Sequence, residues 1–449
     1  MSDSTLSPLR SVSLFSNCGA GDIGYASAGF RFDVMAELDP RRLNVALLNH
    51  RSAEGIAGDL RETLPDVVAA YRARAGSEPP ALMAACPPCQ GMSSARSTRG
   101  QAEDADAGSR EDRNLLVQVV ADAVRELRPR AVVVENVRAF LTRKVRHPDS
   151  HEPVSAARLL IAELEADYDV HPLVADLADF GVPQSRKRSF VTFIRHGEEG
   201  ARILARRRWA PYPWPSHASG RKGQIPLRDA LGAFRLAPLD AGAPGGAEAG
   251  TPMHSVPVWP ASRYRMVSAI PADSGRSAWD NDQCPDCGRR TRDRDRVRCS
   301  GCGRLLPRPI TTGKDGKPKL VYGFRTSYRR MSPEVPAATI TTASGHLGSD
   351  RTIHPWENRV LSPLECALLQ TFPASFDWGD ALERWGHTNV RAMIGEAVPP
   401  LFTRQHGRVL AHLLRGVPPR VALSAADSRV ARAKGALRRA GDAGAAVGG

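Results

Sequence analysis

Short apolar runs alternate with longer helical patterns over the first two hundred residues. Ser11–Phe15, Phe32–Glu37, Ala81–Ala85, Ala131–Glu135 and Phe190–Ile194 are continuous or alternating apolar segments bounded by polar residues, which reads as strands. Between them, Asn114–Leu127 carries apolar residues at helical spacing, and Arg128-Pro129 closes that helix. Ala156–Glu165 reads as another helix. Strands alternating with helices predict βαβ units and a mostly parallel sheet, an α/β fold. From about Gly200 the texture changes. Pro, Gly and Trp become frequent, and Ala241–Gly250 reads as a flexible small-residue loop. Regular patterning returns near Met331, with helices expected at Pro363–Gln370 and from Pro400 to Leu414. The expected division is a discontinuous domain over 1–199 and 326–415, a smaller one over 200–325, and a basic, disordered Ala/Arg/Gly-rich tail over 416–449.

Composition sharpens this reading. The chain of 449 residues carries a net charge of +14, which favours an anionic partner such as nucleic acid. Cys284 to Arg330 holds 14 Lys/Arg against 4 Asp, so that stretch supplies +10 of the +14. The positive field is therefore local, as expected of a binding surface. No apolar run approaches the ~20 residues that span a membrane, and the N-terminus lacks a signal-peptide pattern. The eight cysteines, four of them in two close pairs, suit a reducing cytoplasm better than a disulfide scaffold.

Several constellations carry candidate chemistry. Phe15 to Gly24 follows a strand, opens a helix and places Gly19, Gly21 and Gly24 at the G-x-G-x-x-G spacing of dinucleotide loops. After the next strand come Glu37 and Asp39, placed to accept from ribose hydroxyls. This supports an adenosine-containing cofactor without choosing between a nicotinamide dinucleotide and S-adenosylmethionine. Asp59 could meet an adenine edge or cap a helix. Cys86-Pro87-Pro88-Cys89 ends the apolar run at Ala85. Proline cannot continue a ladder, so Cys89 sits on a rigid turn at a strand's edge, a position suited to a thiolate nucleophile. Glu135 directly follows four apolar strand residues and should be partly desolvated, which suits a group that shares a proton. In Gln184-Ser185-Arg186-Lys187-Arg188, alternation puts Gln184, Arg186 and Arg188 on one face, where two guanidinium forks could hold a phosphate, a base edge or Glu135.

These segments resemble, in order and spacing, the motifs of the cytosine-5 DNA methyltransferases. Asp112-Arg113-Asn114 with Leu116 resembles that family's fifth motif, Pro336–Thr342 through Gln370-Thr371-Phe372-Pro373 its ninth, and Ile394–Pro400 its tenth. The resemblance covers about residues 10–195 and 325–412. It implies a class I S-adenosylmethionine-dependent methyltransferase domain, Rossmann-like with a mixed, mainly parallel sheet, facing a smaller target-recognition domain. By the same resemblance Cys89 adds to carbon-6 of a flipped cytosine and Glu135 holds the ring nitrogen and exocyclic amine. Arg188 holds the base carbonyl and orients Glu135, while Arg186 lies near the thiolate and a backbone phosphate. S-adenosylmethionine would be bound by Phe15, Gly19, Gly21, Glu37, Asp59, Pro87, Leu116, Glu396 and Ala397. Ser93 and the segment after it resemble a mobile loop that closes over the base. The expected partner is double-stranded DNA, with a cognate restriction or phage-defence complex beside it. The enzyme is expected as a cytoplasmic, nucleoid-associated monomer. The family usually has glycine where Ala85 and Cys86 stand, an aromatic at Met92 and asparagine at Glu396. A carboxylate at 396 alters charge beside the methionine moiety. An RNA cytosine-5 methyltransferase of the same fold, or a nicotinamide-dependent oxidoreductase using the same loop, are the competing readings. The second leaves Cys89, Glu135 and Arg188 without a task.

Cys284-x-x-Cys287 and Cys299-x-x-Cys302, each followed by glycine, form the paired turns of a zinc ribbon over 282–305. Four thiolates close a tetrahedral site, so the Zn2+ would be structural. Arg289, Arg290, Arg292, Arg294, Arg296, Arg298, Arg304 and Arg308 run through and after it, a basic surface for phosphates. A ribbon that only shapes the domain is the alternative.

Overall fold

The computed structural model describes residues 7–88, 115–147, 150–218, 223–321 and 326–445, with side chains of the last helix described to residue 440. Seven strands form one sheet: β1 (Leu9–Leu14), β2 (Phe30–Glu37), β3 (Glu54–Ala57), β4 (Leu82–Ala85), β5 (Ala131–Val137), β6 (Tyr168–Asp176) and β7 (Lys187–Arg195). Their spatial order is β3-β2-β1-β4-β5-β7-β6. The first five run parallel, and β7 lies antiparallel between β5 and β6. The central strands are apolar on both faces because helices cover both, which is why they read as unbroken runs. Two strands escape sequence reading. β3 is four residues of half-exposed chain, and β6 contains Pro172, tolerated there because β6 is an edge strand.

The helices that matter for the site are α1 (Ala20–Ala26), α2 (Pro40–Asn49), α3 (Leu60–Ala75) and α4 (Leu116–Leu127). Three more follow much later: α5 (Pro363–Leu369), α6 (Ala381–Glu396) and α7 (Pro400–Leu414). α7 crosses α1 closely. A Cβ on Gly24 would sit 1.9 Å from Thr403 Oγ1, so only glycine permits that approach. The C-terminal end of α6 is held by side chains from three distant segments. Asn17 Nδ2 donates to Met393 O at 2.8 Å, Gln370 Nε2 to Ile394 O at 2.7 Å, and Arg186 to Gly395 O and Ala397 O at 2.8 and 2.9 Å. The last carbonyls of a helix have no partner of their own, and here the fold supplies them.

Two expectations are corrected. The tail is not disordered throughout: Ser428–Ala445 is a helix, α8, whose Val430, Ala433 and Leu437 are buried at helical spacing against the sheet domain. Alanine is a weak apolar signal, so the stripe is hard to see in sequence. Arg429 ties this helix to Asp179. The boundary at 200 also moves. Ile203, Leu204, Ala210 and Tyr212 share a core with Phe190 and Phe402, so the chain just after 199 still belongs to the sheet domain. A separate core of Leu239, Val256, Trp259, Met266 and Ile270 is completed by Leu347, Ile353 and Val360 from beyond 326. Among the described residues no helix is long and apolar enough to cross a membrane.

Two of the buried histidines, the most strongly shifted, bear on acid stability. His406, held by Tyr25 Oη at 3.1 Å, and His354 are both pushed down to about 3, chiefly by burial. Unfolded, each would take up a proton below about pH 6.5. The stability linked to their neutral forms is therefore present above that pH and lost as pH falls toward 3. Asp22, raised to about 7 by burial, acts in the opposite sense between about pH 7 and 4 and offsets one of the two. The melting temperature is expected to fall between pH 6.5 and 5, and His406→Phe to flatten that fall. Calorimetry across this range checks it; identical slopes for both proteins would contradict the assignment.

Candidate active site

Parallel strands deliver their C-terminal ends to one edge of the sheet, where open α/β folds bind ligands. Beyond β1 the chain coils tightly. Phe15, Asn17 and Gly19 have φ of 56°, 49° and 73°. Gly19 begins α1, and a Cβ there would lie 2.9 Å from the His50 ring. Gly21 faces Val398, 3.2 Å from where its Cβ would be. At the end of β2, Glu37 is buried and accepts from Asn17 N–H at 2.8 Å and Asp39 N–H at 3.1 Å. Burial raises its pKa above the usual carboxylate value, and the two N–H groups oppose that. Its two oxygens keep acceptor capacity for a ribose diol. Leu38, unnoticed in the sequence, is 64% exposed beside Glu37 and gives the cleft an apolar surface.

The other expected cofactor residues fall as follows. Asp59 caps α3 through Arg61 N–H at 2.9 Å and pairs with the Arg61 guanidinium at 2.6 Å, which lowers its pKa. Pro87 is buried, and its carbonyl accepts from Asn136 Nδ2 at 3.0 Å, so the Cys86-Pro87-Pro88 segment is fastened to the strand that carries Glu135. Leu116 opens α4 and is buried. Glu396 ends α6 and pairs with Arg42 of α2; Ala397 follows it, buried. The Oδ1 of Asn17 is buried with no hydrogen-bond donor among the described residues. An orphaned acceptor, an acidic ribose partner and an exposed apolar residue on adjoining loops fit S-adenosylmethionine.

Glu135 and Arg188 come together through register. Glu135 pairs with Phe190 and Val137 with Arg188 across β5 and β7, so Glu135 and Arg188 are diagonal neighbours on one face. Arg188 Nε lies 3.1 Å from Glu135 Oε1, with both side chains largely buried. That oxygen has charge compensation but no aligned hydrogen bond among the described residues, which leaves it able to accept one. Cys89, Ser93 and Asp112-Arg113-Asn114 lie outside the described residues.

Arg186 departs from the expected phosphate contact, while its place relative to Cys89 falls outside the described residues. Gln184 and Arg186 precede β7 and do not share its alternation. Arg186 is 1% exposed and donates to Ile340 O at 3.0 Å as well as to Gly395 O and Ala397 O. A guanidinium so enclosed does not reach a DNA phosphate; it joins the returning C-terminal segments to the sheet. Gln184 acts alongside it, accepting from Ile340 N–H at 2.8 Å. Polar residues that staple backbone give no sequence signal distinct from those that touch substrate.

The four cysteines converge. Their sulfurs all lie within 4.8 Å of one another, with Cys284–Cys302 at 3.6 Å and Cys287–Cys299 at 3.5 Å. A tetrahedral zinc with Zn–S near 2.3 Å requires edges of about 3.8 Å, so the donor set fits. Two matching turns build it: Gly288 N–H donates to Cys284 O and Gly303 N–H to Cys299 O, with both glycines at positive φ. Arg308 is withdrawn from the expected phosphate surface. It is buried and donates to the carbonyls of Asn281, Thr291, Asp293, Arg294 and Arg296, shaping the loop between the turns. The remaining ribbon arginines are exposed.

This strand order, with one antiparallel strand, a glycine loop after β1 and a carboxylate ending β2, defines a class I S-adenosylmethionine-dependent methyltransferase. The chain belongs to the C-5 cytosine-specific DNA methylase family, whose model matches residues 9–233 and 265–412. It is a DNA cytosine-5 methyltransferase, and S-adenosylmethionine is its methyl donor. The Type II methyltransferase M1.HgaI of Avibacterium volantium is 24% identical over 407 residues, covering 88% of this chain and 96% of that one. M.AquIA of a Picosynechococcus strain is 32% identical over 218 residues, 48% of this chain and 80% of its own. Among solved structures, a DNA modification methyltransferase encoded within an E. coli prophage superposes with a TM-score of 0.53 at 20% identity. It covers 91% of this chain and 99% of its own, a likeness of fold.

Arg186→Lys keeps a charge but loses the three-carbonyl fork. It is expected to cost about 2–4 kcal/mol of stability and to leave the salt dependence of DNA binding unchanged. Denaturant melts and binding at two salt concentrations check this; a changed salt slope with intact stability would restore the phosphate contact.

Proposed function

We propose that Cys89 is the nucleophile that adds to carbon-6 of a cytosine turned out of duplex DNA, and that Glu135 and Arg188 hold that base. The observation that carries this reading is the Glu135–Arg188 pair, set on adjacent strands with a free acceptor direction at Oε1 and tied through Asn136 to the turn preceding Cys89. Cytosine is a poor nucleophile at carbon-5. Thiolate addition at carbon-6 places electron density on carbon-5, and Glu135 stabilises the adduct at the ring nitrogen and exocyclic amine. Arg188 holds the carbonyl oxygen and keeps the Glu135 carboxylate oriented. S-adenosylmethionine, when bound, supplies the methyl group as a sulfonium. A base or water then takes the carbon-5 proton, the carbon-6–sulfur bond breaks, and the Cys89 thiolate leaves as the ring's double bond is restored.

The relatives named as Type II methyltransferases support a place beside a restriction or phage-defence nuclease, in the cytoplasm. The zinc ribbon, with exposed arginines on both sides of its turns, is the phosphate-contacting part of the recognition region. Arg290, Arg294 and Arg304 lie 3.8, 3.3 and 3.3 Å from Asp282, Asp280 and Asp286, and Arg298 donates to Gly303 O at 3.0 Å, which leaves Arg289, Arg292 and Arg296 as the stronger candidates.

Expressed in a methylation-free host, the protein should leave 5-methylcytosine at one recurrent site. Cys89→Ser should leave none, read by sequencing of methylated cytosines; unchanged methylation would sink the mechanism. Cys284→Ser, or chelation of the metal, should abolish DNA binding while S-adenosylmethionine binding survives. Retention of both would refute the ribbon's role.

A further inference from the structure

The zinc ribbon is continued by a small hairpin. Just after Arg308, which fixes the loop between the cysteine turns, β8 (Ile310–Thr312) pairs antiparallel with β9 (Pro318–Leu320). The register sets Ile310 against Leu320, Thr311 against Lys319 and Thr312 against Pro318. Side chains alternate along a strand, so the central pair points away from the other two. Leu320 is buried and anchors one face. Thr311 and Lys319 are exposed and stand side by side on the other. The turn over 313–317 is held by its own backbone. Gly313 N–H donates to Lys317 O at 2.8 Å, and Lys317 N–H to Asp315 Oδ1 at 3.1 Å, so the one carboxylate of the hairpin is already engaged. A Cβ on Gly313 would lie 2.5 Å from that oxygen, so glycine is what lets the turn close.

Its charges are free. Lys314, Lys317 and Lys319 are exposed, and their ammonium groups form no ion pair among the described residues. Arg263, on the helix Ala261–Ser268, is also exposed, and its guanidinium is equally unpaired among the described residues. Hairpin and helix share an open cleft of about 550 Å³, lined also by His346, and none of the described residues lining it is acidic. The stretch that supplies His346 packs at Thr341 against Gly395, which ties this cleft to one wall of the cofactor site. Unpaired cations on a rigid exposed ribbon suit a polyanion. The major groove of duplex DNA, about 12 Å wide, admits a two-stranded β-ribbon, and an undistorted minor groove of about 6 Å is too narrow for one.

We propose that this hairpin is the element that selects the methylation site. β8 and β9 enter the major groove with Thr311 and Lys319 toward the base edges, and Lys314 and Lys317 at the turn hold phosphates. Lys319 donates to O6 and N7 of a guanine, and Thr311 meets the neighbouring base pair. The ribbon arginines supply grip, and the hairpin supplies discrimination. This rests on the region around the zinc ribbon being the part that contacts the duplex.

Sequencing of methylated cytosines in a methylation-free host tests it on the full chain, with duplex binding measured at several salt concentrations. The wild-type protein defines the recurrent site. Lys319→Ala should accept other bases at one guanine of that site, with discrimination there down tenfold or more, and Lys319→Arg should restore it. Thr311→Ala should relax the adjacent position. The double variant Lys314→Ala/Lys317→Ala should keep the same site but bind more weakly, its salt dependence shallower by about 0.9 for each lysine. Unaltered zinc content and S-adenosylmethionine binding report an intact fold in each variant. Methylation of an unchanged site by both Thr311→Ala and Lys319→Ala overturns the proposal. The lack of any recurrent site with the wild-type protein would instead overturn the reading on which it rests.

Discussion

The unpaired carbonyls at the end of one helix govern how this molecule closes. α6 arrives late in the chain and ends with Met393 to Glu396 beside the loop that follows β1. Asn17, Gln370 and Arg186 each give donors to those carbonyls. Buried backbone acceptors are costly to leave unmet. Satisfying them brings three stretches, remote in sequence, to one point. The cofactor cleft is the space this leaves: the glycine loop on one side, Glu37 behind it, the α6 terminus on the other.

The same economy appears in the recognition region with a different helper. Arg308 meets five carbonyls of the loop between the two cysteine turns. That loop has almost no apolar residue to fold around, and its small core consists of Cys284, Cys299 and Leu306. Four converging cysteines that fit a zinc ion and one buried arginine stand in for the hydrophobic burial that a segment this short and polar cannot provide. The arginines left outside are then presented by a rigid frame.

Much of this was legible beforehand, and the reasons differ by element. β4 and β5 are buried on both faces, so an unbroken apolar run announces them. α7 spans Pro400–Leu414, as its proline start and apolar spacing indicate. The Glu135–Arg188 contact follows from strand register, once β7 is known to pair with β5. Three features resisted. α8 hides its buried stripe in small residues. Arg186 looks identical in sequence whether it grips carbonyls or a phosphate, since its donors are the same. Arg42 offers no motif at all, because its meaning depends on a glutamate more than three hundred residues away.

The Asn17–Met393 bond has a consequence for the order of events during synthesis. Its two ends are 376 residues apart, with the whole recognition region emerging between them. Contacts of such span close late, after the intervening units have formed. A nascent chain that has finished its sheet still lacks one wall of the cofactor cleft. A chain that stops short of α6 has no partner for the Asn17 amide, and that side of the cleft stays open.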